Sequence, residues 1–178
     1  TGQTISVSRQ FKLLREILLA LELVHQQGMV HLDIKPENIF VKNDKYKLGD
    51  FGMANSFSKN GMKSSDIEEG DSRYMSKDLL DFCPKDLTKC DIFSLGVTLY
   101  EVCSGGTLPT CGEEWQGLRN GKVVIGLEDT SLGDIIKEMM HPDTNKRPSA
   151  TELLSRDILR LSDDSMISLY KGAKAKSV

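Results

Sequence analysis

The run His31-Leu32-Asp33-Ile34-Lys35-Pro36-Glu37-Asn38-Ile39-Phe40 sets a carboxylate, a cation and an amide close together, and Asp50-Phe51-Gly52 follows twelve residues after the asparagine. Groups of this kind suit phosphoryl transfer. That chemistry needs a carboxylate to orient the attacking hydroxyl and take its proton, a cation near the moving phosphate, and oxygen ligands for magnesium. Asp33, Lys35, Asn38 and Asp50 supply them in that order. Pro36 pushes Lys35 out of helical geometry, so the spacing predicts a loop that presents Asp33 and Asn38 together. A polar loop beside an unrelated Asp-Phe-Gly turn is the plain alternative, because short motifs are weak when taken singly.

The flanking elements must hold that loop. Ser6 or Ser8 is expected to cap a helix in which Leu14, Ile17, Leu18, Leu21 and Val24 recur at three- and four-residue intervals, and Gly28 is expected to end it. Met29-Val30 then reads as a short strand into the loop. Ile39-Phe40-Val41 and Tyr46-Lys47-Leu48 read as a hairpin closed by Asn43-Asp44-Lys45. Residues 54–69 lack periodicity and read as a long loop in which Ser64 and Ser65 are solvated. Leu79-Leu80-Asp81-Phe82 suits one helical turn. A helix over Cys90 to Cys103, capped by Thr88, is apolar on nearly every face and must therefore lie at the centre. Three shorter helices follow: Glu113 to Arg119 ended by Gly121, Leu132 to Met140, and a last one opened by the capping box Ser149-Ala150-Thr151-Glu152, with Leu153, Leu154 and Ile158 inward.

Composition narrows the class. The 178 residues allow one sizeable core, and 39% hydrophobic with 28% charged residues is ordinary for a globular domain. A net charge of -3 argues against a general nucleic-acid binder. No apolar run approaches a membrane span and no secretory leader is visible, so a soluble protein of the nucleus or cytoplasm is expected. Cys83, Cys90, Cys103 and Cys111 form no C-x-x-C pair, and His25, His31 and His141 are scattered; reduced, mostly buried thiols and structural or surface roles for His25 and His141 are the expectation.

Taken together, H-x-D-x-K-x-x-N followed by D-F-G resembles the catalytic loop and metal-binding turn of protein kinases. The resemblance implies ATP and magnesium as cofactors, Asp33 and Lys35 as catalytic residues, and Lys35, Asn38, Phe40 and Asp50 as nucleotide-binding ones. Asn38 and Asp50 would hold the metal, and Phe40 would lie under the adenine, a place compatible with its being core. Small-molecule phosphotransferases share this core but lack a central helix such as Asp91-Ile92-Phe93-Ser94-Leu95-Gly96, whose aspartate in kinases holds the catalytic-loop backbone. The implied fold is mainly α, a C-terminal (large) kinase lobe with a small hairpin at the active site. It would cover residues 1–161, followed by a polar tail, 162–178, expected to be disordered. No G-x-G-x-x-G loop or strand lysine precedes the catalytic loop, so the N-lobe is expected to be missing, the chain to be inactive alone, and the small-lobe face to expose apolar surface. Two further expectations come from the same likeness. Leu32 stands where many kinases have the arginine that binds an activation-loop phosphate, so such phosphorylation should be unnecessary. Asp78 should pair with Arg147.

Glu69-Gly70-Asp71-Ser72-Arg73-Tyr74 and the L-P-x-x-G-x-x-W-x-x-L-R-x-G run from Leu108 to Gly121 look like the Wee-type (Wee and Myt) kinases. That likeness implies transfer to a tyrosine, in Myt enzymes also a threonine, of a cyclin-dependent kinase, and so inhibition of mitotic entry. The loop chemistry of Lys35 taken alone suggests a serine/threonine enzyme with another substrate, and a non-catalytic scaffold is the reading from a different class. For Trp115, packing and interface remain equally open.

Overall fold

The computed structural model describes residues 5–56, 70–82, 84–123 and 130–160. The expectations for Ser64, Ser65, Cys83 and the 162–178 tail lie outside those residues.

The mainly α architecture is built on two long helices. Helix α1 (Val7–Gln26) buries Phe11 and, of the stripe that its periodicity predicts, Leu14, Ile17, Leu18 and Leu21; Val24, near its C-terminal end, is only half-buried. Ser6 stands at its N-terminus but makes no side-chain cap, and Gly28 takes φ 71° just past its end, where a side chain would be strained. Helix α3 (Leu87–Ser104) buries twelve of its residues, as a helix apolar on every face must. Its cap is Asp86 rather than Thr88: the carboxylate accepts from the Thr88 N–H at 2.9 Å and from the Thr88 hydroxyl at 2.6 Å, so the helix starts three residues earlier than expected. Gly96 lets α3 meet α5 (Thr130–Met139) closely; a Cβ there would stand 2.8 Å from Met140 Cγ and 3.1 Å from Met139 Cβ.

Strand β1 (Met29–Val30) pairs antiparallel with β4 (Asn55–Ser56), a strand inside the stretch expected to be loop. Strands β2 (Ile39–Lys42) and β3 (Lys45–Leu48) form the expected hairpin. Its turn is the two residues Asn43 and Asp44, at φ 52° and 58°, the primed geometry that matches strand twist. Helix α1 packs on β3, on α3 and on α6 (Ala150–Leu154). The capping box of α6 is present: Ser149 N–H donates to Glu152 Oε2 at 2.6 Å, and Glu152 N–H to Ser149 Oγ at 3.2 Å. Leu153 is buried and Leu154 and Ile158 partly so; Leu159, on the separate turn α7 (Asp157–Arg160), completes that contact. The short helices α2 (Lys77–Leu80) and α4 (Gly112–Arg119) flank α3. Cys90 and Cys103 are buried free thiols, whereas Cys111 is exposed. Among the described residues no helix is long and apolar enough to cross a membrane.

Candidate active site

Pro36 does to the backbone what its ring demands. Lys35 is extended (φ -157°, ψ 165°), and Pro36–Asn38 then forms one 3₁₀ turn that carries Asn38 back toward Asp33. The Asn38 amide donates to the Asp33 carbonyl at 2.8 Å and to Asp33 Oδ2 at 2.9 Å. Lys35 Nζ reaches Oδ1 at 3.0 Å and Oδ2 at 2.8 Å. The Asp33 carboxylate is thus fixed from two sides.

Asp91, wholly buried at the start of α3, accepts the N–H groups of His31 at 2.9 Å and Leu32 at 2.8 Å, as the resemblance implies. His25 adds a contact that an isolated histidine in a sequence does not signal: its Nε2 lies 2.8 Å from Asp91 Oδ2. Leu32 sits at φ 64° with its side chain buried among Val30, Met75, Leu79, Leu87 and Cys90. A leucine there ties the loop to residues 75–79 through apolar packing.

His31 joins the loop to Asp50. Its Nε2 lies 3.0 Å from the Gly49 carbonyl, and its ring meets Phe51 edge-on with centroids 4.8 Å apart. The Gly49 N–H donates to the Asn38 carbonyl at 2.9 Å, which seats Asp50 on the chain position next to Asn38. Asp50 itself is exposed, in left-handed backbone at φ 57°, with Oδ1 accepting from the Gly52 N–H at 3.3 Å. Asp33, Lys35, Asn38 and Asp50 are therefore gathered in one region.

The donor set fits a magnesium ion. Asn38 spends its amide N–H groups on Asp33, so the atom it has left for a cation is its carbonyl oxygen; with the Asp50 carboxylate this makes two hard oxygen donors. Magnesium takes one or two protein oxygens and fills its octahedron with water and phosphate. Among the described residues no group of three or more His, Cys, Asp or Glu side chains converges, so no all-protein metal cage competes for the ion. Phe40 is not core: it is 54% exposed, with its ring over Gly49, where a Cβ would clash at 2.7 Å. Phe40, Val41 and Phe51 together present apolar surface around the site.

The next loop lines the approach. A Cβ on Gly70 would stand 3.2 Å from the Leu32 carbonyl and 3.6 Å from Asp33 Oδ1, so this backbone passes directly beside the carboxylate. Asp71 then forms a fork with Arg73, whose NH2 lies 2.6 Å from Oδ2. Arg73, and at longer range Lys35, hold the Asp71 carboxyl below its ordinary range against the effect of its burial. Burial and the Glu101 carboxylate, 2.6 Å from the Tyr74 hydroxyl that donates to it, push that phenol upward. Asp78, in the first turn of α2, is gripped by Arg147 as the resemblance implies, Nη2 to Oδ1 at 2.7 Å.

Comparison with known proteins places this geometry. The family profile described as Protein kinase domain matches residues 2–159. The chain is 42% identical over 159 residues to a Wee1-like protein kinase of Oryza sativa subsp. japonica, covering 88% of this chain and 30% of the relative. It is 42% identical over 143 residues to one of Arabidopsis thaliana (80% and 28%) and 35% over 185 residues to one of Drosophila melanogaster (84% and 30%). The chain spans less than a third of the length of these relatives.

Proposed function

We propose, for a chain that belongs to the protein kinase domain family and has that family's mainly α large lobe as its fold, that the whole protein is a Wee-type kinase. In this reading it transfers the γ-phosphoryl group of ATP to a tyrosine of a cyclin-dependent kinase, in the nucleus or cytoplasm. The observation that carries the reading is the Asp33 carboxylate held by Lys35 and Asn38 beside Asp50. The similarity to Wee1-like protein kinases and the Glu69–Tyr74 and Leu108–Gly121 runs support the subtype.

Asp33 accepts the proton of the incoming hydroxyl; Lys35, already bonded to it, neutralises charge on the phosphoryl oxygens. Asn38 plays two parts: its N–H groups aim Asp33 and its oxygen, with Asp50, holds the metal. When bound, magnesium would shield the charge of the phosphate groups. Phe40 offers the exposed apolar surface on which a base can lie. Leu32, packed on Met75 and Leu79, holds the loop without a phosphate-binding arginine.

The test is a full-length assay with magnesium-ATP and a cyclin-dependent kinase, with the modified residue mapped. Asp33→Asn should lower kcat by about 10²–10⁴-fold, and phosphatase treatment of the active enzyme should leave its rate unchanged. A product without phosphotyrosine would remove the tyrosine assignment and leave a serine/threonine kinase. Undiminished transfer by Asp33→Asn would remove the mechanism.

A further inference from the structure

Away from Asp33, α2 and α4 enclose a cavity of about 240 Å³ whose lining includes Lys77, Leu80, Asp81, Trp115, Gln116 and Arg119. Arg119 is 3% exposed, yet among the described residues no carboxylate pairs with it. Its NH1 donates to the Trp115 carbonyl at 2.9 Å, and its NH2 to the carbonyls of Arg73, at 3.0 Å, and Ser72. Its Nε has no acceptor, and neither has the indole Nε1 of Trp115, whose ring lies 3.7 Å from the guanidinium. Burial pushes the guanidinium down to about 10. A sealed cation with only carbonyl partners, next to two buried N–H groups without acceptors, is a costly arrangement that an incoming anion would relieve. Exposed Lys77 adds a cation to the cavity wall, opposed by Asp81.

The position suggests whose anion this is. Arg119 holds the Ser72 and Arg73 carbonyls, and Gly70, two residues earlier, lies against Asp33. An extended peptide advances roughly 3.3 Å per residue, so a segment offering its hydroxyl to Asp33 reaches the cavity within a few residues. Leu80 and the Trp115 ring suit the methylene stem of an acidic side chain. We propose that the cavity between α2 and α4 receives an aspartate or glutamate of the protein substrate, read by Arg119, Trp115 and Lys77. The identity of the occupant as substrate rests on the phosphoryl-transfer reading; the anion site itself does not. Both orphan N–H groups are buried, so the carboxylate reaches them by a shift of the Trp115 side chain that keeps its ring along the methylene stem.

Trp115 is the chain's one tryptophan, so its emission reports binding directly. The chain is titrated with blocked peptides of about ten residues that carry one glutamate, each beside its glutamine twin. The expected result is a saturable emission change, about tenfold tighter for the glutamate peptide and weaker at high salt. Arg119→Gln should remove that preference, and Lys77→Gln should cut it about threefold. Should Arg119→Gln fail to fold, Lys77→Gln still decides. Equal affinity for the twins, or a preference undiminished in the Lys77→Gln chain, overturns the proposal. In the full-length protein the same preference should lower KM and leave kcat alone; a preference in binding that never reaches KM overturns the substrate assignment. Asp33→Asn should leave the emission titration untouched, so failure of transfer and failure of the anion site are read separately.

Discussion

Arg147 and Arg119 are both sealed from water, at 1% and 3% exposure, and they are held in opposite ways. Arg147 meets a carboxylate: NH2 and NH1 reach Asp78 at 2.7 and 3.4 Å, while Nε donates to the His141 carbonyl at 2.7 Å and the guanidinium lies 5.0 Å from the Phe93 ring. Arg119 meets carbonyls and an indole face only. The first arrangement closes a charge pair and locks residue 78 to the start of α6; the second leaves a charge open beside a cavity. A buried cation with its counterion built in belongs to the scaffold, and one without belongs to whatever comes to it.

Arg147→Met breaks the contrast most sharply. It leaves the Asp78 carboxylate without its cation and should cost about 3–5 kcal/mol in urea unfolding; an unchanged midpoint would mean that the pair contributes nothing. Acid reaches the same pair by another route. Burial would raise the Asp78 carboxyl, but the hydrogen bond and charge of Arg147 outweigh it and hold the group below its ordinary value. Stability from a depressed carboxyl is complete above its unfolded value and is lost as the pH falls through the folded one, so the loss lies below about pH 4. The gap between wild type and Arg147→Met should therefore narrow as the pH drops below 4, measured by unfolding at successive pH values. A gap that stays constant would assign the cost to packing against Phe93. Arg119→Met should cost less, about 1–2 kcal/mol: the carbonyls of Ser72, Arg73 and Trp115 lose a donor, but an unpaired charge also disappears.

How much of this could be seen beforehand differs by residue. That Asp33, Lys35, Asn38 and Asp50 come together was legible because phosphoryl transfer requires fixed residue types at fixed spacing, and α1 and α3 were legible because burial imprints a period on the chain. Asp78 with Arg147 came from likeness alone. His25 was not legible, since its partner Asp91 lies sixty-six residues away and a lone histidine has no pattern. Asp86 was missed as a cap because two good capping types, Asp86 and Thr88, stand two residues apart, and only the backbone decides between them. Phe40 reads as a residue under the nucleotide or in the core, and it is exposed together with Val41, which points to the opposite face, because the hairpin has only two strands and neither residue has a third strand or a helix over it. The openness of Arg119 is hidden for a further reason: it depends on which carboxylates fail to come near, and a sequence records neighbours along the chain rather than their absence in space.

Trp115 gives the finest cut between the two arginines. If its ring serves chiefly to shield an uncompensated cation, Trp115→Leu keeps an apolar neighbour and removes the π face, and the loss should be about 0.5–1 kcal/mol. That loss should vanish in the Arg119→Met background, because no cation is left for the ring to face. A double-mutant cycle in urea measures this directly. Should Trp115→Leu cost as much with Arg119 replaced as with it present, the indole would be ordinary packing on α4, and Arg119 would have to be counted with Arg147 as part of the scaffold.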